Sequence, residues 1–224
     1  FEPSGAVMTS DEVLMLSHVP ARVVVIGGGA IGCEFASTFA DLGAQVTILE
    51  GLPKILPGLD SDVANVVVRS FKKKNIEIKT GVKVIGHTPN GAGGTTVHFG
   101  APDGDAQNLE VDAVVVSIGR RPYADQLGLQ GTAVAVSDRG FVEVDEYCRT
   151  AEPGVYAVGD LINTPALAHV GYAEAILVVK HILDEAPNPI RYDRVPWAIY
   201  CHPEVAFAGP SEEAAREAGF DVVV

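Results

Sequence analysis

The chain has 224 residues, a formal net charge of −13 and 47% hydrophobic residues. This length can build one large domain or two modest ones, and the acidic balance argues against nucleic acid as a partner because it repels phosphate backbones. No apolar run approaches the roughly 20 residues of a membrane span, no signal-peptide pattern is read, and three widely spaced cysteines (Cys33, Cys148 and Cys201) suit a reducing, cytoplasmic setting better than a disulfide framework.

Met8 and Met15, near the start, read as core residues. Val23 to Ile26 is an apolar run of the kind that forms a buried strand. Gly27, Gly29 and Gly32 follow at the G-x-G-x-x-G spacing and open an apolar helical pattern. A second strand, Gln45 to Leu49, ends on Glu50, 18 residues beyond Gly32. Strand, glycines, helix, strand and terminal acid together are the fingerprint of a dinucleotide site. Gly27 permits the tight turn, Gly29 lets backbone approach a pyrophosphate, and Gly32 lets the helix pack close to the strand. The helix start directs free N–H groups at phosphate, and Glu50 can accept hydrogen bonds from an adenosine ribose. Cys33, at the same helix start, is either a thiol with favoured ionisation or a small residue packed on the strand.

Asp60-Ser61-Asp62 offers a cap and early acids for a helix from Val63 to Lys74, which Asn75 ends. Lys72-Lys73-Lys74 reads as a solvated helix end. Short strands are expected at Ile76 to Lys79 and Val82 to Ile85. Thr95 to Phe99 and Leu109 to Asp112, around the turn-rich Ala101-Pro102-Asp103-Gly104, complete a β-meander. Ala113 to Ile118 is a buried return strand. A second unit follows, with strands expected at Phe141 to Val144 and Val155 to Asp160. Cys148 would fill a strand end. Thr164-Pro165 supplies a cap and first-turn proline for a helix from Ala166 to about Leu183. Ser211-Glu212-Glu213-Ala214 starts a last helix that Gly219 stops, and Phe220 to Val224 is strand-like.

Several segments occur together in the order of a known family: Gly27 to Glu34, Gly119-Arg120-Arg121-Pro122, Thr150 with Tyr156-Ala157-Val158-Gly159-Asp160, Leu167-Ala168-His169, and Cys201-His202-Pro203-Glu204-Val205-Ala206. The chain resembles the pyridine nucleotide–disulfide oxidoreductases over essentially its whole length, and within them the dihydrolipoamide dehydrogenase branch. The resemblance implies an α/β fold with FAD-binding, NAD-binding and dimerisation domains. It implies electron flow from dihydrolipoyl groups through a disulfide and FAD to NAD. Residues 1–19 would end an FAD-domain segment and link onward, 20–127 would form a Rossmann-like NAD domain with the meander inserted, 128–189 half of the FAD domain, and 190–224 the start of an α+β dimerisation domain. It implies NAD contacts from Gly27, Gly28, Gly29, Ala30, Ile31, Gly32, Cys33 and Glu34, a ribose contact from Glu50, and lining by Val84 and Gly119. Gly159 and Asp160 would meet the FAD ribitol, and Ala166, Leu167, Ala168 and His169 would offer backbone to the flavin. Taken alone, Asp160 is as readily an ordinary cap and His169 a helix-surface histidine. Partners implied are a lipoyl-bearing protein or small disulfide, a second copy in a homodimer, and a 2-oxo acid dehydrogenase complex.

Glu50 would repel a 2′-phosphate, and Ala30 stands where the glutathione reductase branch has Tyr; with Gly32 kept, these favour NAD and the lipoamide branch. The family's C-x-x-x-x-C pair, its H-P-T-x-x-E motif and the first FAD glycine fingerprint are not in this sequence. No catalytic residue is therefore expected in it, His202 included, and an opening without Met fits a piece of a longer polypeptide. Alternative readings are a sibling flavin disulfide reductase, an NAD(P) transhydrogenase or a non-catalytic NAD-binding redox sensor.

Overall fold

In the computed structural model, which describes residues 5–91, 93–101 and 104–224, the chain forms two compact units. One comprises Phe1–Ile118 with Pro196–Val224, the other Gly119–Val195.

In the first unit β2 (Arg22–Ile26), α2 (Ala30–Asp41) and β3 (Gln45–Leu49) form the expected βαβ run. β1 (Val7–Met8), β4 (Glu77–Lys79) and β8 (Ala113–Val116) complete a parallel sheet in the order β1-β8-β2-β3-β4. Val7–Met8, in the stretch expected as segment end and linker, lends this sheet an edge strand. Both faces are covered, which is why the strands read as unbroken apolar runs rather than alternating ones. Val23, Val25, Val46 and Ile48 pack with Cys33, Ala36 and Phe39 of α2 and with Val67 and Phe71 of α3 (Ser61–Lys73). Val24, Ile26 and Leu49 pack on the other face with Val97, Phe99 and Val111. The latter belong to the antiparallel meander of β5 (Lys83–Pro89), β6 (Thr95–Gly100) and β7 (Gln107–Val111). Half of the turn expected at residues 101–104 lies outside the described residues.

Several expectations are corrected by tertiary partners. Asp60 precedes α3, yet its Oδ1 accepts the N–H of Glu212 at 2.7 Å instead of capping α3. Ser211 caps α5 (Glu212–Glu217) as expected, accepting from the Ala214 N–H. Phe220 to Val224 forms no strand, having no ladder partner among the described residues. Met8 is buried, but Met15 is 83% exposed at the end of the short helix α1 (Ser10–Leu14), whose buried residue is Val13. β9 (Pro196–Ile199) and β10 (Val205–Ala208) form a hairpin, and Ile199, Cys201 and Val205 enter the same core as α2.

The second unit has little regular structure. Ala124, Val142, Cys148, Ala157, Ile162 and Leu177 form its core. The strands expected at Phe141 to Val144 and Val155 to Asp160 shrink to single bridges, Val136 to Val142 and Arg149 to Tyr156. Each partner lies across a tight turn, such as Ser137 to Phe141, and diverges after one rung. Cys148 is not a strand end: it is buried at φ +60° in a turn held by the Asp145 carboxylate, which accepts N–H groups of Tyr147 and Arg149. α4 (Ala168–Ile182) starts later than expected, after Leu167 rather than Thr164.

Candidate nucleotide sites

The loop between β2 and α2 is shaped by close approaches. Gly27 has φ +104°, and a Cβ there would lie 2.5 Å from the Ser117 carbonyl oxygen. A Cβ on Gly32 would lie 2.0 Å from the Gly27 oxygen, and one on Gly28 would lie 2.6 Å from Ile55 Cγ2. Gly29 differs: its φ is an ordinary −75°, and among the described residues nothing lies within 4 Å of where its Cβ would be. It precedes α2 without any side-chain cap. The first intrahelical bond runs from Cys33 N–H to Gly29 C=O, so the N–H groups of Ala30, Ile31 and Gly32 lie ahead of the helical ladder.

Glu50, only 8% exposed, closes this loop from the end of β3. Its Oε2 accepts the Gly28 N–H at 2.5 Å and its Oε1 accepts the Leu52 N–H at 2.7 Å. A carboxylate offers about four acceptor positions, so two remain for a ligand. Ser117, which sequence reasoning passed over, donates its hydroxyl to Ile26 C=O at 2.9 Å and pins the strand end under the glycines. Its signal was a polar residue following the apolar run of β8.

Cys33 is fully buried, its thiol 3.5 Å from the Gly28 carbonyl, and burial pushes its pKa far up. It packs with Val23, Val25 and Ala36 in the core of the first unit. Glu34 Oε1 accepts the Tyr200 N–H at 2.9 Å, while the N–H of His202 bonds Ser37 Oγ, so the β9–β10 turn is tied to α2. Val84 is half-buried against the Ile26 and Leu49 cluster.

In the second unit Gly119 has φ +132°, a backbone state that favours glycine. Gly159 (φ +69°) opens a short 3₁₀ turn, Gly159–Leu161. Asp160 is exposed on it, its Oδ2 paired with Arg120 Nη2 at 2.9 Å. Ala166, Leu167, Ala168 and His169 lead into α4, which has no side-chain cap. Thr164 does not cap it because its hydroxyl is drawn to Glu174 Oε1 at 2.7 Å. Glu174 is 0% exposed, and it also accepts the Gly159 N–H and the Tyr192 hydroxyl. Sequence reasoning missed it, although an acid stands between Val170 and Leu177 on the buried stripe of α4. Burial and the neighbouring carboxylate push the Tyr192 phenol up, and burial raises the Cys148 thiol to about 11.

The chain is similar to known proteins over most of its length. A family model described as pyridine nucleotide-disulphide oxidoreductase matches residues 3–175. Dihydrolipoyl dehydrogenase of Cupriavidus necator is 39% identical over 213 residues, covering 95% of this chain and 44% of that protein. The enzyme of that name from Trypanosoma brucei brucei is 40% identical, over 95% of this chain and 45% of the other. The chain thus spans about half the length of the curated relatives it matches. Among solved structures, LpdA of Mycobacterium tuberculosis matches with a TM-score of 0.89 at 27% identity, over 98% of this chain and 47% of that one. The HOCl-induced flavoprotein disulfide reductase RclA of Escherichia coli, as its Cu(II) complex, matches at 0.87 and 30% identity, over 96% and 48%. Among the described residues no helix is long and apolar enough to cross a membrane, and no cluster of metal-ligating side chains occurs.

Proposed function

Because the chain belongs to the pyridine nucleotide-disulphide oxidoreductase family, we propose that it supplies the NAD site and part of the FAD site of a flavoprotein that oxidises dihydrolipoyl groups. When bound, FAD would relay the electrons arriving through a disulfide and NAD would accept them as hydride. The observation that carries the reading is Gly29. The other loop glycines are demanded by neighbouring protein atoms; Gly29 is not, yet it heads an uncapped twelve-residue helix. A backbone bare of Cβ at an uncapped helix start is what a pyrophosphate pressed against it requires.

In this reading Gly27 to Gly32 cradle the pyrophosphate, with the Ala30, Ile31 and Gly32 N–H groups donating to it. Cys33 backs the loop from the core. Glu34 and Val84 line the nicotinamide side. The acceptor positions left on Glu50 take the adenosine ribose hydroxyls, and its charge disfavours a 2′-phosphate. Asp160, on the Gly159 turn, holds the flavin ribitol. The backbone of Ala166, Leu167, Ala168 and His169 faces the flavin, where the positive end of α4 favours negative charge. The domain assignments are 20–127 to NAD, 128–189 to FAD and 190–224 to the start of a dimerisation region. The protein's partners would be a lipoyl-bearing protein, a second copy and a 2-oxo acid dehydrogenase complex. The sequence holds neither C-x-x-x-x-C nor H-P-T-x-x-E, so the 224 residues alone should not turn over lipoamide. A sibling flavin disulfide reductase is the second reading, favoured by the likeness to RclA.

Calorimetric titration with NAD(H) tests the site. Gly29→Ala should cost at most about 1 kcal/mol of capping stability, while NAD(H) binds at least about tenfold more weakly. No heat of binding to wild type up to about millimolar nucleotide would sink the site.

A further inference from the structure

We propose that Glu174 is a positioning residue that sets Asp160 relative to the start of α4, an inference that rests on reading Asp160 as the flavin-ribitol ligand. Glu174 is fully buried in the second turn of α4. Its Oε2 accepts the N–H of Gly159, the residue immediately before Asp160, at 2.5 Å. Its Oε1 accepts the Thr164 hydroxyl at 2.7 Å, on the segment that leads into α4, and the Tyr192 hydroxyl at 3.0 Å. One carboxylate therefore grips both elements that would face the flavin, the acid-bearing turn and the lead-in to the helix.

The turn needs such a grip. Gly159 sits at φ +69°, and a Cβ on Gly171, one turn before Glu174, would come 3.5 Å from the Gly159 Cα. The helix thus lies close against this peptide, and sliding along α4 would carry the Asp160 side chain with it. Burying a carboxylate is costly compared with an apolar residue of similar volume, so stability by itself is a weak reason for one here. Directional bonds to three donors from three chain segments hold a geometry that an apolar contact would leave loose.

The test uses protein expressed from its full coding sequence, with FAD affinity of the apoprotein measured by fluorescence titration beside its melting curve. Glutamine can point its carbonyl oxygen at the Gly159 N–H and its amide at the two hydroxyls, which can turn to accept. Glu174→Gln should therefore bind FAD within about threefold of wild type, whereas Glu174→Leu, which keeps the volume and loses the bonds, should bind at least about tenfold more weakly. The bound flavin's visible circular dichroism should change in the Leu variant and return in the Gln variant. Should Glu174→Leu lack a cooperative melt, Glu174→Asp, one methylene too short to reach both donors, is judged by the same criterion. Wild-type-like affinity in Glu174→Leu, with affinity lost in Asp160→Ala, overturns the positioning role and leaves the Asp160 reading standing. Undiminished FAD affinity in Asp160→Ala overturns that reading, and this inference with it.

Discussion

Replacing Glu50 by Ala tests a bracing role that the sequence did not show. Its carboxylate is almost enclosed, and it satisfies the backbone N–H of Gly28 at 2.5 Å and of Leu52 at 2.7 Å. Hydrogen bonds to a charged partner are each worth about 1.5–3 kcal/mol when the surviving group stays buried. The Gly28 N–H is buried and bears the full loss; Leu52 is exposed, and water can replace much of its bond. The sum is about 2–4 kcal/mol. For a unit of this size that lowers the melting temperature by about 5–12 °C. Glu50→Gln keeps one acceptor, and the Gly28 N–H has first claim on it; the expected loss is about 1 kcal/mol, or about 2–4 °C. Scanning calorimetry without nucleotide measures both. A fall of less than about 2 °C for Glu50→Ala, or Gln as damaging as Ala, would refute the reasoning. If both variants melt as expected, their NAD(H) affinities then report the proposed ribose contact together with loosening of the glycine loop.

Gly28→Ala places a methyl group 2.6 Å from Ile55 Cγ2 and 3.1 Å from Glu50 Oε2; overpacking of this kind should cost about 1–3 kcal/mol in urea unfolding. All three thiols are buried, so the native chain should release no thionitrobenzoate from Ellman's reagent near neutral pH and three equivalents once unfolded. The Cys148 thiol, raised from an ordinary 9.0 to about 11, makes the unfolded chain the first to lose its proton on alkalinisation. Stability should therefore fall as pH climbs from 9.0 towards about 11, and Cys148→Ala should make that limb of the melting profile shallower, the raised Cys33 and Cys201 thiols keeping part of it. Hydrogen bonding to Arg22 holds the Asp112 carboxyl below its ordinary 3.8. Its stabilisation is present above that value and lost as pH falls through the depressed one; Asp112→Asn should show a shallower acid limb in pH-dependent melting.

The βαβ run was legible because its signals are local. Apolar runs, glycine spacing and the acid closing β3 fall within thirty residues of one another, and the structure reproduces the strand Gln45–Leu49 residue for residue. The meander and return strand were legible for the same reason. Where the sequence misled, the deciding partner was remote. Asp60 looked like a helix cap but answers to Glu212, and Thr164 looked like a cap but answers to Glu174. The segments around Val142 and Val155 carry strand-like patterns, yet a pattern makes a strand only where a ladder partner continues beyond one rung.

The sequence by itself determined the strand, glycine loop, helix, strand and closing acid from Arg22 to Glu50, because the signal for each lies within a few residues of it. Only the tertiary structure named the protein atoms behind the division of labour among the glycines: Gly27, Gly28 and Gly32 are spoken for by Ser117, Ile55 and the loop itself while Gly29 is not. It alone showed Glu50 as a brace as well as an acid, and Glu174 as the carboxylate beneath the Asp160 turn. Buried hydrogen-bond partners are matched in space, and spacing along the chain does not record who will meet whom.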